Sequence, residues 1–217
     1  MKTDAQLQQD VIAELEWEPS VDATQIGVAV EGGIVTLDGH VNSYAEKWDA
    51  ERAAQRVSGV RALANKMDVS LPRSSHRNDA DIALAAENAM LWTTFLPRQT
   101  VKVVVEDGWI TLSGELDWDY QRQAAAATVR HLMGVRGVSD QIAIKPQASS
   151  GAVKTGIEAA LKRRARVDAQ QIQVEVQGGD VTLTGTVHSW AERDLAVHSA
   201  WGTPGVTSVV DRLTFGA

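Results

Sequence analysis

The sequence predicts an α+β protein of three tandem small αββαβ domains, each a mixed three-stranded sheet with two helices on one face. Two observations lead to this prediction. A ten-residue segment recurs as GGIVTLDGHV, DGWITLSGEL and GGDVTLTGTV, and its glycines are separated by 75 and then 71 residues. Around each copy, stretches of helical and strand periodicity follow in the same order. The 217-residue chain therefore consists of three copies of an internal repeat.

Each repeat begins with an amphipathic helix. Its apolar positions, at steps of three and four residues, are Leu7, Val11 and Leu15, then Ile82, Ala86 and Met90, then Val153, Ile157 and Leu161.

A hairpin follows the first helix. Its alternating pattern predicts that Val35 and Leu37 are buried while Thr36 lies on the opposite face of the sheet. Gly32 and Gly33 fit a two-residue turn that requires positive φ. None of the three glycine-containing segments has the GxGxxG or GxxxxGK[ST] spacing of a phosphate-binding loop.

A second helix connects the hairpin to a third strand, which the right-handed crossover rule places parallel to the second strand. Ser43 with Glu46, and Ser189 with Glu192, have the spacing of a capping box. A Gly-Val pair follows each helix, and its glycine fits the left-handed residue that ends a helix. We expect Pro204 to end the last helix early. The glycines that recur at equivalent positions are Gly33, Gly39, Gly59, Gly108, Gly114, Gly134, Gly179, Gly185 and Gly205.

These features together resemble the BON (bacterial OsmY and nodulation) domain family, in three tandem repeats. The resemblance rests on GGxVTLxGxV, a helix followed by Gly-Val, and a third strand with Asn65, Asp140 or Asp211 in phase with apolar residues. It implies a non-enzymatic module of stress-associated bacterial proteins, linked to phospholipid or envelope surfaces.

The resemblance also divides the chain into domains. The predicted division is BON domain 1 at 1–70, a linker at 71–78, BON domain 2 at 79–145, a linker at 146–149 and BON domain 3 at 150–217. Both linkers carry the proline and serine expected between domains.

The net charge of −7 is unevenly placed. Residues 1–72 carry 6 basic and 12 acidic side chains, residues 73–146 carry 8 and 9, and residues 147–217 carry 7 and 7. Because phosphate contacts dominate the affinity for nucleic acid, we expect no nucleic-acid partner for an acidic chain.

The distribution of apolar residues along the chain indicates in which cellular compartment the protein is expected. No apolar run approaches the roughly 20 residues that span a membrane, so we expect no transmembrane segment. The opening residues MKTDAQLQQDVIAELEW lack the apolar core of a signal peptide. We therefore expect a cytoplasmic protein, or a periplasmic one if a leader was removed.

Two segments are candidate binding surfaces. In AMLWTTFLP, at the end of the second repeat's first helix, Leu91, Trp92, Phe95 and Leu96 are more apolar than their equivalents. We expect this segment to pack against neighbouring repeats; the alternative is a membrane-interface contact with Arg98 beside it. In the third repeat the same helix ends in KRRAR, with Lys162, Arg163, Arg164 and Arg166. We interpret it as a solvated helix end, the alternative being contact with an anionic surface.

Catalysis is not indicated. The five histidines lie at different places in the repeat and form no HExxH motif, and no GxSxG motif occurs. We expect no catalytic residue, no metal site and no cofactor other than a possible monovalent cation. At Asn65, Asp140 and Asp211 we expect the side chain to hydrogen-bond backbone at the start of the third strand.

Three functions stay open. The resemblance favours a binding module for anionic phospholipid or the envelope surface. BON domains also occur with a LysM domain in a bacterial potassium-binding protein, which implies a cytoplasmic potassium sensor as an alternative. A protein-binding scaffold or chaperone-like stress protein is the third, and the oligomeric state is not predicted.

Overall fold

A computed structural model of the chain describes residues 2–97, 99–145, 150–163 and 171–216. The six helices within these ranges are α1 Asp4–Trp17, α2 Tyr44–Arg56, α3 Asp79–Leu91, α4 Asp119–Arg130, α5 Ser150–Arg163 and α6 Trp190–Trp201. The nine strands are β1 Ile26–Glu31, β2 Ile34–Val41, β3 Ala62–Val69, β4 Val101–Glu106, β5 Trp109–Leu116, β6 Gly137–Ile144, β7 Ile172–Gln177, β8 Asp180–Val187 and β9 Ser208–Phe215. Two short 3₁₀ helices lie at Ala23–Gln25 and Arg73–Ser75.

The strands form three separate three-stranded sheets, in the orders β1-β2-β3, β4-β5-β6 and β7-β8-β9. In the first sheet β1 and β2 are antiparallel, with Val30 opposite Val35, and β3 pairs with β2 in parallel, with Leu63 opposite Val35. The third sheet repeats this arrangement, with Val181 between Val176 and Val209. The predicted α+β fold of three mixed-sheet repeats is confirmed.

Each sheet buries one face under its helices. Val35 and Leu37 are completely buried in β2, as predicted, whereas Thr36 between them is only half-buried. The first-helix positions listed above are buried as well, except Met90, which is half-buried. Small residues on the second helix, such as Ala50, lie completely buried and let that helix pack closely on the sheet.

By its contacts the chain divides into two compact units. The first comprises residues 1–92, 103–111 and 127–139, and the second comprises residues 93–102, 112–126 and 140–217. The middle repeat therefore contributes residues to both units.

A glycine is required once in the middle strand of each sheet. Gly39 has φ of +130°, and a Cβ there would overlap the carbonyl oxygen of Gln25. Gly114 and Gly185 repeat this conformation, with φ of +139° and +125°. Any other residue would combine a strained backbone with a collision against main chain, which explains why the sequence repeats glycine here.

The hairpin turns depend on the first helix. Gly32 and Gly33 have positive φ, as predicted. Their two N–H groups donate to the carboxylate of Asp4, at 2.8 and 3.1 Å. In the next repeat, Asp79 accepts from Asp107 and Gly108, both at 2.9 Å. One carboxylate at the start of a helix thus holds a hairpin turn closed, a contact that the sequence patterns did not predict.

The Gly-Val pair forms a turn of its own, which corrects two predictions. Gly59 has positive φ, but α2 ends at Arg56, and the glycine is the third residue of a turn closed by the Val60 N–H and the Val57 carbonyl at 3.3 Å. It is therefore not the left-handed residue that ends the helix. Pro204 is the second residue of the equivalent turn, a position that proline favours, and α6 is as long as α4. Early termination by this proline was thus a wrong prediction.

The predicted capping boxes form only in part. Ser43 accepts a hydrogen bond from the Glu46 N–H, as an N-cap should. The Glu46 carboxylate, however, accepts from the Asn42 N–H at 2.7 Å and from the Asp22 N–H at 2.8 Å. The Glu46 carboxylate therefore fixes the residue before the N-cap and a preceding loop. It does not accept from the N-cap N–H, as a complete capping box requires. The complete capping box is formed at the start of α1, where Thr3 is the N-cap.

Candidate functional site: the ends of the first helices

The first helix of the first repeat ends on an exposed tryptophan in acidic surroundings. Trp17 is 82% exposed and lies beside Glu14, Glu16 and Glu18. Arg56 donates to Glu14 at 2.9 Å and to Glu18 at 2.7 Å. The hydrogen bond from Arg56 lowers the pKa of Glu18 below its ordinary value, so this carboxylate is held in its charged form. This helix end therefore repels anions on balance.

The equivalent end in the second repeat is apolar and exposed. Trp92 is 87% exposed and Leu91 is 52% exposed, although the Trp92 N–H still caps α3 by donating to the Asn88 carbonyl at 3.2 Å. Both side chains are exposed, so the packing expected from the sequence is not seen at them among the described residues. Their apolar surface is in contact with solvent, which soluble domains seldom permit without a use for it.

The residues that follow are partly covered. Leu96 is buried at 9% exposure. Phe95 is 44% exposed and lies against Tyr120, with ring centroids 6.2 Å apart. The Phe95 carbonyl accepts from Gln121 at 2.9 Å, so the backbone of this segment is fixed. Arg98 lies outside the described residues.

The third repeat places cations at the same helix end. Leu161 is buried, while Lys162 and Arg163, the last residues of α5, are exposed. Arg164 and Arg166 lie outside the described residues. Positive charge at a helix C-terminus suits the helix dipole and is also available to an anionic partner.

The three helix ends therefore form a chemical series at one position of the repeat. Trp17, Trp92 and Arg163 are equivalent, and so are Glu16, Leu91 and Lys162. The series runs from acidic with tryptophan, through apolar with tryptophan, to basic. Trp17 was missed as a candidate from the sequence, although the 75-residue offset that identifies the repeat places it directly over Trp92.

The recurring polar position of the third strand is structural, as expected. Asn65, Asp140 and Asp211 each accept a hydrogen bond from the N–H two residues further on, at 3.1, 3.0 and 2.9 Å. The contact lies within the strand rather than at its start. The second and third copies also pair with an arginine of the second helix, and Asp211 lies 2.6 Å from Arg193.

The electrostatics of Asp140 are dominated by its burial. Burial raises the pKa of this carboxyl above its ordinary value, and the hydrogen bond from the Ile142 N–H and the charge of Arg122 only partly oppose that effect. Arg122 lies 3.7 Å away on α4. The charged form of Asp140 is therefore less stable in the folded protein than in water.

Two kinds of feature are absent from the described ranges. Within them, no group of three or more histidine, aspartate or glutamate side chains is placed to hold a metal ion. No helix in the same ranges is both long and apolar enough to cross a bilayer.

Comparisons with known proteins identify the repeat. Residues 3–70, 78–146 and 149–217 each match the BON domain. The chain is 27% identical over 146 residues to Osmotically-inducible protein Y of Escherichia coli (strain K12), a match that covers 65% of this chain and 73% of that protein. Two solved structures of CdsD, a structural protein of the Type III secretion system of Chlamydia trachomatis, align at 15% identity with a TM-score of 0.28. One alignment covers 96% of this chain and 91% of the other, and the alignment to the C-terminal domain covers 100% of both. Because the domain matches extend over nearly the whole chain, this protein belongs to the BON domain family and carries three tandem copies.

Proposed function

We propose that this chain is a non-enzymatic binding protein of bacterial osmotic-stress or envelope physiology that contacts anionic phospholipid through the ends of α3 and α5. The observation that carries the proposal is the 87% exposure of Trp92 at the end of an ordered helix, with the half-exposed Leu91 beside it. Tryptophan is enriched where membrane meets water because its ring is apolar and its N–H is polar.

The basic end of α5 supplies the preference for anionic lipid. Lys162 and Arg163 are exposed and adjacent, and each basic residue near an anionic membrane contributes about 1 kcal/mol. The apolar contribution of Leu91 and Trp92 does not depend on lipid charge. The two helix ends thus predict different dependences on lipid composition and on salt.

The first repeat does not fit this role. Trp17 is as exposed as Trp92, but three glutamates surround it and one arginine offsets them only in part. A negatively charged membrane surface repels such a site. This difference gives the proposal an internal control, because the same residue type occupies the same position in two repeats.

Vesicle sedimentation tests the proposal. We expect the protein to sediment with phosphatidylglycerol vesicles and much less with phosphatidylcholine vesicles, and to be released as NaCl is raised. Replacing Lys162 and Arg163 with glutamate should abolish the preference for the anionic vesicles without changing the melting temperature. A variant that keeps the wild-type preference for phosphatidylglycerol vesicles, or a wild-type protein that binds no vesicles at all, would contradict the proposal.

The two other functions stay predictions. The similarity to an osmotically inducible protein is compatible with a potassium sensor and with a stress-related scaffold as well. Neither is favoured by a contact or charge cluster among the residues that the structure describes.

A further inference from the structure

An open pocket of about 460 Å³ lies between the N-terminal end of α4 and the C-terminal end of α6. Three of its six lining residues carry large aromatic rings, namely Trp118, Tyr120 and Trp201. The other three are Asp119, His198 and Gly202. This volume is sufficient for a small organic molecule. All six residues belong to the second compact unit.

One ring of the pocket already binds a cation. The guanidinium carbon of Arg122 lies 4.3 Å from the ring centroid of Trp201, which is the geometry of a cation–π contact. This contact shows that the Trp201 ring accepts a positive charge, and Arg122 already covers the face in question. Trp118 and Tyr120 add two further aromatic side chains to the lining of the pocket.

A buried carboxylate adds negative charge to this pocket. The Asp119 side chain is only 3% exposed, and its Oδ2 accepts from Gln123 at 2.6 Å. Its Oδ1 forms an ion pair with Nη2 of Arg122 at 2.5 Å. Asp119 therefore places a carboxylate at the wall of the pocket, and Arg122 offsets part of its negative charge.

The charge balance around the pocket favours a cation. Arg122 faces two carboxylates, Asp119 and Asp140, so these three groups together carry a net negative charge. The C-terminal end of α6 adds a partial negative charge. The N-terminal end of α4 carries a partial positive charge, but the full charge of Asp119 at that end outweighs it.

From these contacts we infer that the pocket binds a quaternary ammonium group, such as the trimethylammonium of choline. Aromatic walls suit a cation whose charge is spread over methyl groups and which water holds weakly. A potassium ion instead requires a shell of oxygen ligands, which walls made largely of aromatic carbon do not supply. The inference is independent of the phospholipid contact proposed for α3 and α5, because it uses different residues and does not require an anionic lipid.

Calorimetric titration at constant ionic strength tests the inference on the wild-type protein. We expect saturable binding of choline chloride with a dissociation constant on the order of millimolar. The neutral isostere 3,3-dimethylbutan-1-ol has the same shape without the charge, so it should bind at least about tenfold more weakly, and KCl should show no saturable heat. Equal binding of choline and the neutral alcohol would overturn the inference, and so would the absence of saturable choline binding.

Two variants locate the site. Asp119→Asn removes the charge at nearly constant shape, and Trp201→Leu removes a ring; each should weaken choline binding by roughly tenfold. Trp48→Leu is the matched control, because Arg130 lies 3.7 Å from the Trp48 ring centroid but Trp48 does not line this pocket. Circular dichroism identifies any variant that fails to fold. Folded Asp119→Asn protein with unchanged choline affinity would contradict the assignment.

A competition experiment distinguishes two sources of the trimethylammonium group, a lipid headgroup and a small solute. Phosphatidylcholine vesicles that displace free choline would assign the site to a lipid headgroup. Displacement by free glycine betaine without displacement by vesicles would assign it to a small zwitterionic solute. Both results support a quaternary ammonium site, whereas a failure of choline, betaine and the vesicles alike to bind would overturn it.

Discussion

Trp17 and Trp92 occupy the same position in two repeats, at the ends of α1 and α3, and both are more than four-fifths exposed. Their surroundings differ in charge. Glutamates flank Trp17, whereas Leu91 precedes Trp92. An exposed tryptophan is therefore a shared feature of two copies of the fold, and the neighbouring residues decide what kind of surface each can meet.

Asp79 should contribute to stability through the hairpin that it holds. Its carboxylate accepts from two backbone N–H groups in a turn, so Asp79→Ala leaves both donors without this partner. We expect a loss of about 1–3 kcal/mol in the free energy of unfolding, measured by urea denaturation.

Asp81→Ala is the control for that change. Asp81 lies exposed in the same first turn of α3, so its replacement removes a similar interaction with the helix dipole but no contact with the hairpin. A loss of stability in Asp81→Ala as large as in Asp79→Ala would show that the hairpin contact contributes little.

Gly39 should tolerate no side chain. Gly39→Ala combines φ of +130° with an overlap between the new Cβ and the Gln25 carbonyl oxygen, and we expect it to cost about 3 kcal/mol or more. Gly32→Ala, where φ is +57° and no atom lies within 4 Å of the new Cβ, should cost only about 1 kcal/mol. Thermal melting of the two variants gives the comparison, and similar losses would refute the role of the close approach.

Asp140→Asn should stabilise the protein at neutral pH. Because burial raises the pKa of Asp140 above its ordinary value of 3.8, the folded state binds the proton more tightly than the unfolded state. Its contribution to stability is thus present at low pH and is lost as the pH rises through the folded pKa. Asparagine already occupies the equivalent position at Asn65.

Urea denaturation of both proteins at several pH values measures this effect. The advantage of the Asp140→Asn variant should be greatest at pH 7 and should shrink as the pH falls toward 3.8. A variant that is less stable than the wild type at pH 7 would show that the attraction between Asp140 and Arg122 outweighs the cost of burial.

Melting in KCl and in NaCl at equal ionic strength separates the lipid proposal from the potassium alternative. A ligand that binds only the folded state raises the melting temperature by mass action. We expect the same melting temperature in both salts. A rise that is specific to KCl would favour the potassium sensor.

Much of the fold was predictable because each repeat carries its own signals. Val35 and Leu37 alternate with polar residues as a half-buried strand does, and Gly39 recurs where only glycine fits. The turn at Gly59 was misplaced because a glycine with positive φ suits a helix end and a type II turn equally, and composition alone does not separate them.

The candidate surface was less predictable than the fold. Whether Leu91 and Trp92 are covered depends on tertiary neighbours, which hydrophobicity does not reveal. Asp4 and Asp79 occupy equivalent positions, 75 residues apart, in the first two repeats. Their contact with the hairpin turn is visible only once the helix and the hairpin are placed together. The pocket combines Trp118 with Trp201, residues too far apart in the chain for any local pattern to pair them.

Sedimentation of Trp92→Ser and Trp17→Ser proteins with phosphatidylglycerol vesicles tests whether the end of α3 contacts the membrane. Both changes remove one exposed tryptophan from the same position of the repeat, so neither should alter the melting temperature. We expect Trp92→Ser to weaken vesicle binding by about tenfold and Trp17→Ser to leave it unchanged. Equal effects of the two changes, or no effect of Trp92→Ser, would contradict the claim that the end of α3 contacts the membrane.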